Sequence, residues 1–143
     1  LFNVAFSFFY LGFLVFFPLG QNPILRLMVG FLTGLYIDLF SNTPGLHASV
    51  CTFIMLFRDT WLRAILEHQK GVLDINIYIL KMRGVWLYIL PLIFIHHLMI
   101  FWINYGSWMG LFMTFDQISA STIFSLLSIL LINLVISKKP IRI

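Results

Sequence analysis

The sequence predicts an all-α integral membrane protein, a polytopic bundle of helices that cross the bilayer. Of its 143 residues, 61% are apolar and only 10% are charged, whereas a typical soluble domain is about half apolar and about a quarter charged. A water-soluble fold of this length could not bury so much apolar surface, so lipid must cover part of it. The apolar residues also form stretches near the roughly 20 residues that cross about 30 Å of hydrocarbon. We expect residues 1–143 to form a single transmembrane helical domain.

Five hydrophobic segments predict five transmembrane helices in this chain. They are Leu1–Pro18, Ile24–Phe40, Leu46–Leu66, Val85–Asn104 and Ile118–Ile136. The third is the least regular, because its apolar run ends at Phe57 and charged residues follow. We expect its last turns to emerge into the lipid headgroups, where Asp59–Arg63 and Arg63–Glu67 would form ion pairs between successive turns.

The connections between these segments carry turn residues. In Ser41–Gly45, the order of residues predicts Thr43 as the N-cap of the third helix and Pro44 as its first residue. The longest polar connection is His68–Arg83, and residues 73–78 within it alternate between apolar and polar side chains. This alternation is typical of either a strand or a segment lying on the membrane surface.

The basic residues predict the orientation of the chain. Alternate crossings place all nine Lys and Arg residues on one side, whereas the connections Ser41–Gly45 and Tyr105–Asp116 on the other side contain none. Basic residues mark the cytoplasmic side, so we expect the C-terminus in the cytoplasm. The candidate cytoplasmic basic surface consists of Arg58, Arg63, Lys70, Lys81 and Arg83. An external start without a signal sequence leads us to expect one further N-terminal helix, which would give six helices.

The second segment carries a stripe of polar and small residues. Arg26, Gly30, Gly34 and Asp38 follow one another in steps of four, which keeps them on one face of a helix. The two glycines predict a groove that a neighbouring backbone can approach closely. We favour a packing role in which Asp38 serves the helix end, with a structural hydrogen bond to His47 across the turn. The alternative is that Asp38 fixes a partner helix or binds a cation or solute, because ionisable residues at membrane depth are functional candidates.

The fourth segment contains His96-His97 after Pro91, which should kink the helix. Adjacent residues point about 100° apart on a helix, so this pair cannot chelate one metal ion as residues one turn apart could. We favour hydrogen bonding between helices for both side chains. Proton-linked chemistry, including catalysis by either histidine, is the alternative.

The fifth segment places small hydroxyl residues on one face, namely Ser121, Ser125 and Ser128. Such a face is typical of a contact between membrane helices, and a polar solute pocket is the alternative. The chain has no nucleophile-elbow, zinc-protease or phosphate-loop motif and only one cysteine. The residues therefore predict no enzyme, no cofactor and no metal site, and a membrane surface explains the net charge of +4 better than nucleic acid does.

The run from Gly30 to Ala48, GFLTGLYIDLFSNTPGLHA, resembles the signature of the bacterial rod shape-determining protein MreD family. The shared elements are a Gly-x-x-x-Gly-Leu helix, an Asp, a short polar turn that includes Asn42, and Gly45 before the next helix. The pair His96-His97 and the serine-rich last segment also resemble some members. The resemblance covers nearly the whole chain, although MreD proteins usually have one more N-terminal helix.

The resemblance implies a fold and a function. The expected fold is similar to the substrate-binding subunits of energy-coupling-factor transporters. The expected function is a non-enzymatic scaffold of the cell-elongation (rod) complex in the bacterial inner membrane, which helps maintain cell shape and organise peptidoglycan synthesis. MreC would be the most direct partner, with RodA, a class-B penicillin-binding protein and MreB as others. A small solute-binding or transport subunit is the alternative function.

Overall fold

The computed structural model describes residues 10–18, 21–67 and 82–137. Over these ranges the chain is helical apart from short turns and contains no strand, which confirms the predicted all-α class. The helices are α1 (Tyr10–Phe16), α2 (Pro23–Ser41), α3 (Leu46–Glu67), α4 (Met82–Gly84, Val85–Ile89 and Leu90–Tyr105 in continuous succession), α5 (Trp108–Met113) and α6 (Phe115–Ser137).

The predicted segments agree closely with these helices. The last four segments match α2, α3, α4 and α6 within three residues at each end, because long apolar runs leave little choice of element. α1 occupies the second half of the first segment, and residues 1–9 lie outside the described ranges. The alternating residues 73–78 also lie outside them. The connection Tyr105–Asp116 contains the short helix α5.

Within the ranges that the structure describes, three helices are long and apolar enough to cross a membrane, over Pro23–Ser41, Val85–Tyr105 and Phe115–Ile132. Their outward faces carry large apolar side chains, such as Leu39 of α2, which is 76% exposed. α3 has 22 residues but carries several charges in its second half. Two of these, Arg58 and Asp59, are buried against other helices, so these charges do not face the outside of the bundle.

The main apolar core lies where α1, α3, α4 and α6 meet. Its buried residues include Leu11 of α1, Leu62 of α3, Ile89 of α4 and Ile129 of α6. α2 lies at the edge of the bundle and packs chiefly against α3. The start of α2 is fixed by Asn22, whose side chain accepts a hydrogen bond from the backbone N–H of Ile24 at 2.9 Å.

A π-helical turn, Val85–Ile89, interrupts α4 just before the proline that was expected to disturb it. Pro91 has no N–H, so the carbonyl of Leu87, four residues earlier, loses its helical donor. The indole N–H of Trp61 on α3 donates to that carbonyl at 2.9 Å. A neighbouring helix thus satisfies the backbone group that the proline leaves open, as apolar surroundings require.

Candidate functional site

The predicted glycine groove is filled by α3. A Cβ atom on Gly30 would lie 2.8 Å from Cγ of Met55 and 2.9 Å from the carbonyl oxygen of Cys51. A Cβ atom on Gly34 would collide with the backbone of His47 and Ala48. The close approach therefore occurs within the chain, between α2 and α3, and not with a separate helix.

Asp38 ends this stripe and caps the start of α3. The first helical hydrogen bond of α3 runs from the N–H of Ser49 to the carbonyl of Gly45 at 3.1 Å, so Gly45 occupies the cap position. Glycine has no side chain to accept from the free N–H groups of the first turn. Asp38 supplies the acceptor: its Oδ1 accepts from the N–H of His47 at 2.9 Å and its Oδ2 from the N–H of Ala48 at 3.0 Å.

The carboxylate of Asp38 also binds two side chains. Its Oδ1 accepts from the Thr43 hydroxyl at 2.9 Å and from Nδ1 of His47 at 2.9 Å, which is the hydrogen bond expected across the turn. Asp38 is 3% exposed and His47 is 5% exposed. The negative charge lies at the positive end of the α3 dipole, which further stabilises the ionised form of this buried group. We call Gly30, Gly34, Asp38 and His47 the α2–α3 clasp.

The turn between α2 and α3 differs from the prediction in one respect. α3 begins at Leu46, so Thr43 is not its N-cap and Pro44 is not its first residue. The carboxylate of Asp38 accepts from the N–H groups of His47 and Ala48 in the place of an N-cap side chain. The hydroxyl of Thr43 instead donates to this carboxylate. Asn42 is exposed and ends α2 in the left-handed conformation (φ 53°), which asparagine tolerates better than most residues. Gly45 has φ 84°, where a side chain would be strained.

The two histidines of α4 are fully buried and contact different helices. The hydroxyl of Tyr10 on α1 lies 3.0 Å from Nε2 of His96. Nδ1 of His97 donates to the carbonyl of Ile93 at 2.7 Å, and its Nε2 lies 3.4 Å from the Ser125 hydroxyl on α6. Both side chains therefore link helices, which is the arrangement that the favoured interpretation describes.

The serine face of α6 is turned partly towards α4. Ser121 and Ser125 are fully buried, and Ser128 is half-buried. The Ser128 hydroxyl donates to the carbonyl of Phe124 in the preceding turn at 2.8 Å. Of the three serines, Ser125 makes the contact with His97, so the face serves a helix–helix junction at this point.

Arg58, expected on the cytoplasmic basic surface, is instead fully buried. Its guanidinium donates to the carbonyls of Leu14, Val15 and Phe17 at the C-terminal end of α1. The last carbonyls of a helix have no donor within the helix and carry partial negative charge. Arg58 stabilises this end of α1, together with Tyr88, whose hydroxyl donates to Val15 at 3.2 Å.

Asp59 forms different ion pairs from the one predicted. It pairs with Arg26 of α2 and with Nε of Arg58, the latter at 3.0 Å, rather than with Arg63. All three members of this cluster are at most 9% exposed. The attraction between the carboxylate and the two guanidinium groups is stronger in this buried position than it would be on the helix surface, because water does not screen the charges. The side chain of Glu67 lies outside the described residues.

Two other members of the predicted basic surface, Arg63 and Arg83, are exposed. Lys70 and Lys81 lie outside the described ranges. The Arg26–Asp59 pair and the Trp61–Leu87 hydrogen bond place the start of α2, the second half of α3 and the start of α4 at one end of the bundle. The turn between α2 and α3, with Asp38 and His47, lies at the other end of the bundle.

A partly open apolar pocket of about 260 Å³ lies against Leu98, Met99, Trp102 and Ile103 of α4. None of the predicted polar residues contributes to it. Within the described ranges, no group of three or more His, Cys, Asp or Glu side chains is placed to hold a metal ion. The polar residues of the candidate site are therefore joined to one another across helices, and the arrangement organises helix packing.

Sequence reasoning missed Tyr10, Trp61 and the buried pairing of Arg26. A signal existed for Trp61, because Pro91 must leave a carbonyl without its helical donor. Tyr10 and Arg26 pair with residues on other helices, far away in the sequence, and no local spacing marks such contacts. Comparison of the chain with protein-family models, with curated proteins and with solved structures gave no match.

Proposed function

We propose that this chain is a non-enzymatic scaffold in the bacterial inner membrane that acts in the cell-elongation complex as MreD proteins do. In this proposal it helps maintain cell shape and organises peptidoglycan synthesis by binding MreC most directly. RodA, a class-B penicillin-binding protein and MreB complete the set of partners.

The observation that carries the proposal is the α2–α3 clasp. The residues on which the resemblance to MreD depends are the two glycines, Asp38, the polar turn and Gly45. In the structure these residues form one unit, in which the glycines admit α3 and the carboxylate caps it. A family signature would preserve these residues together, because one packing unit needs all of them.

The apolar exterior supports a membrane location. Three helices of the described part of the chain have the length and composition to cross a bilayer, and side chains such as Phe40 and Leu39 of α2, both 76% exposed, suit acyl chains. The exposed Arg63 and Arg83 lie at the end of the bundle that we assign to the cytoplasm, where basic residues prefer to be. This orientation places the C-terminus in the cytoplasm and the α2–α3 turn outside.

The structure constrains how MreC would bind. α3 fills the glycine groove, so a partner helix has to use another surface. α2 offers one, because its side opposite the glycines is apolar and is not covered by the described residues. We therefore expect MreC to contact the outer side of α2, around Phe31 and Leu35.

Co-purification and photo-crosslinking test the proposal. A photoreactive amino acid would replace Phe31 on the outer side of α2, and a second variant would carry it at Ile123 on the exposed side of α6. Cells that lack their own MreD would express each tagged variant. We expect recovery of rod shape, capture of MreC from gently solubilised membranes, and a crosslink to MreC from position 31 but not from position 123.

The outcomes separate the proposal from the choice of surface. Capture of MreC with a crosslink only from position 123 would move the docking surface and keep the function. A folded, membrane-inserted protein that neither restores rod shape nor retains MreC would refute the function itself. An unrelated helical membrane protein with the same tag controls for non-specific capture.

A further inference from the structure

The short helix α5 carries apolar side chains on its outer side. Met109, Phe112 and Met113 are spaced by three and four residues, which puts them on one face of the helix, and they are 70%, 80% and 81% exposed. Phe115, the first residue of α6, is 58% exposed. A surface helix in water shows the opposite pattern, with its polar side chains outward. We call these four side chains the α5 patch.

The chain around the α5 patch carries no charge. From Gly84 to Phe115 the sequence contains no Lys, Arg, Asp or Glu. The turn between α2 and α3 lies at the same end of the bundle, because Val50 near the start of α3 shares a buried cluster with Ile100 near the end of α4. That turn has the polar residues of a connection in water, Ser-Asn-Thr at 41–43. The two connections at this end therefore suit different surroundings.

The backbone of the α5 connection is paired within the chain at both ends of α5. Gly106 ends α4 with φ 64°, and its N–H donates to the carbonyl of Trp102 at 2.9 Å. The Ser107 hydroxyl accepts from the N–H of Gly110 at 3.1 Å and so caps α5. The N–H of Thr114 donates to the carbonyl of Gly110 at 3.0 Å. Backbone groups that are paired in this way can enter hydrocarbon, where no water replaces a missing partner.

Small and polar residues hold α5 against the end of α4. A Cβ atom on Gly110 would lie 2.8 Å from Cβ of Tyr105 and 3.2 Å from the Ser107 hydroxyl oxygen, so α5 folds back closely at this point. Thr114, between α5 and α6, is buried, and its hydroxyl donates to the carbonyl of Gly110 at 2.8 Å. The polar groups of the connection are therefore used within the bundle, whereas the α5 patch faces away from it.

We propose that the α5 patch is a lipid-binding surface, which inserts its side chains among the acyl chains of the leaflet around this end of the bundle. The partner is the apolar part of the bilayer lipids. Both helices that flank α5 are long and apolar enough to cross a membrane. Exposed side chains on these helices, such as Ile103 and Ile123, suit the same surroundings, so the patch extends a surface that already faces lipid. The inference rests on the membrane location in the proposed function, and not on the role in cell elongation.

The accessibility of spin labels in lipid nanodiscs tests the α5 patch. With Cys51→Ala as background, which removes the one cysteine of the chain, a single labelled cysteine would replace Met109, Phe112 or Met113. Collisions of each label with oxygen, which concentrates in lipid, are compared with collisions with a water-soluble nickel complex. We expect the labels at 112 and 113 to collide mainly with oxygen, at a depth of about 5–10 Å into the boundary between headgroups and acyl chains.

Two reference positions calibrate this measurement. Leu127 is 53% exposed on α6, about three turns from the start of that helix, and its label should report lipid. Pro44 is exposed in the turn between α2 and α3, and its label should report water.

The outcomes separate the α5 patch from the membrane location. A label at 127 that meets mainly the nickel complex would refute the membrane location, and the lipid-binding surface with it. Lipid at 127 but water at 112 and 113 would overturn the lipid-binding surface alone. Few collisions with either reagent at 112 and 113 would mean that protein, such as a second copy of the chain, covers the patch, and would also overturn it.

A photoreactive phospholipid tests the unsubstituted chain, in case a cysteine variant does not fold. A diazirine on its acyl chain labels side chains that lipid tails reach. We expect label in the peptide that contains residues 109–115 and in the peptide that contains Ile123 of α6. Label at Ile123 without label in 109–115 would refute the lipid-binding surface.

Discussion

Replacing Asp38 by Asn tests whether the α2–α3 clasp depends on a charged cap. An asparagine can keep its oxygen at the position of Oδ1, where three donors converge, but its NH₂ group then faces the N–H of Ala48. A buried donor left without an acceptor costs about 1–3 kcal/mol. Loss of the negative charge at the start of α3 costs about 0.5–1 kcal/mol more. We therefore expect Asp38→Asn to lower the free energy of unfolding by about 1.5–4 kcal/mol.

The assay is reversible denaturation in mild detergent, followed by circular dichroism and tryptophan fluorescence. The matched control is Asp116→Asn, because Asp116 also lies in the first turn of a helix but is exposed. Its loss should cost about 0.3–1 kcal/mol. Equal destabilisation by the two substitutions would show that the buried network around Asp38 adds nothing to an ordinary charge–dipole interaction, and the reasoning would fail.

Three further predictions use the same assay. Gly34→Ala should destabilise by about 1–3 kcal/mol, because its Cβ meets backbone atoms. Gly12→Ala should cost less, because its Cβ meets only side-chain atoms, of Ile129, at 3.3 Å and beyond. The reverse order would contradict the clasp. Arg58→Gln should lower the free energy of unfolding by about 3–5 kcal/mol, since it leaves Asp59 and the α1 carbonyls underpaired. Arg63→Gln, at an exposed position on the same helix, should change it by no more than about 0.5 kcal/mol. Similar losses for the two variants would argue against a buried role of Arg58. Trp61→Phe keeps an aromatic ring but removes the donor to the Leu87 carbonyl of α4, and should lower the free energy of unfolding by about 0.5–1.5 kcal/mol. An unchanged stability would mean that this carbonyl needs no partner.

The helices could be predicted from the sequence because apolar runs of membrane-spanning length have few alternatives. α3 begins at Leu46, the residue at which its segment was predicted to begin. The contact between Asp38 and His47 could also be predicted, because a short turn brings the end of one helix next to the start of the following one. The glycine stripe predicted a close approach of backbones, but spacing alone could not say which backbone would approach.

The contacts that could not be predicted join residues far apart in the chain. Arg58 was expected at the surface because it directly follows the end of an apolar run, yet its partners are backbone carbonyls of α1, which no side-chain pattern reveals. Asp59 has a basic residue one helical turn later, so local spacing favoured Arg63. The true partner, Arg26, depends on how α2 lies against α3.

The proline in α4 has a consequence for how this chain can tolerate change. Trp61 donates to the Leu87 carbonyl, which has no helical donor because Pro91 lacks an N–H. The contribution of each of these two residues to stability therefore depends on the other. Restoring an N–H with Pro91→Ala would give the Leu87 carbonyl a competing donor and make the loss of Trp61 less harmful. The two substitutions should therefore be non-additive, and homologous chains should exchange this proline and this tryptophan together more often than either one alone.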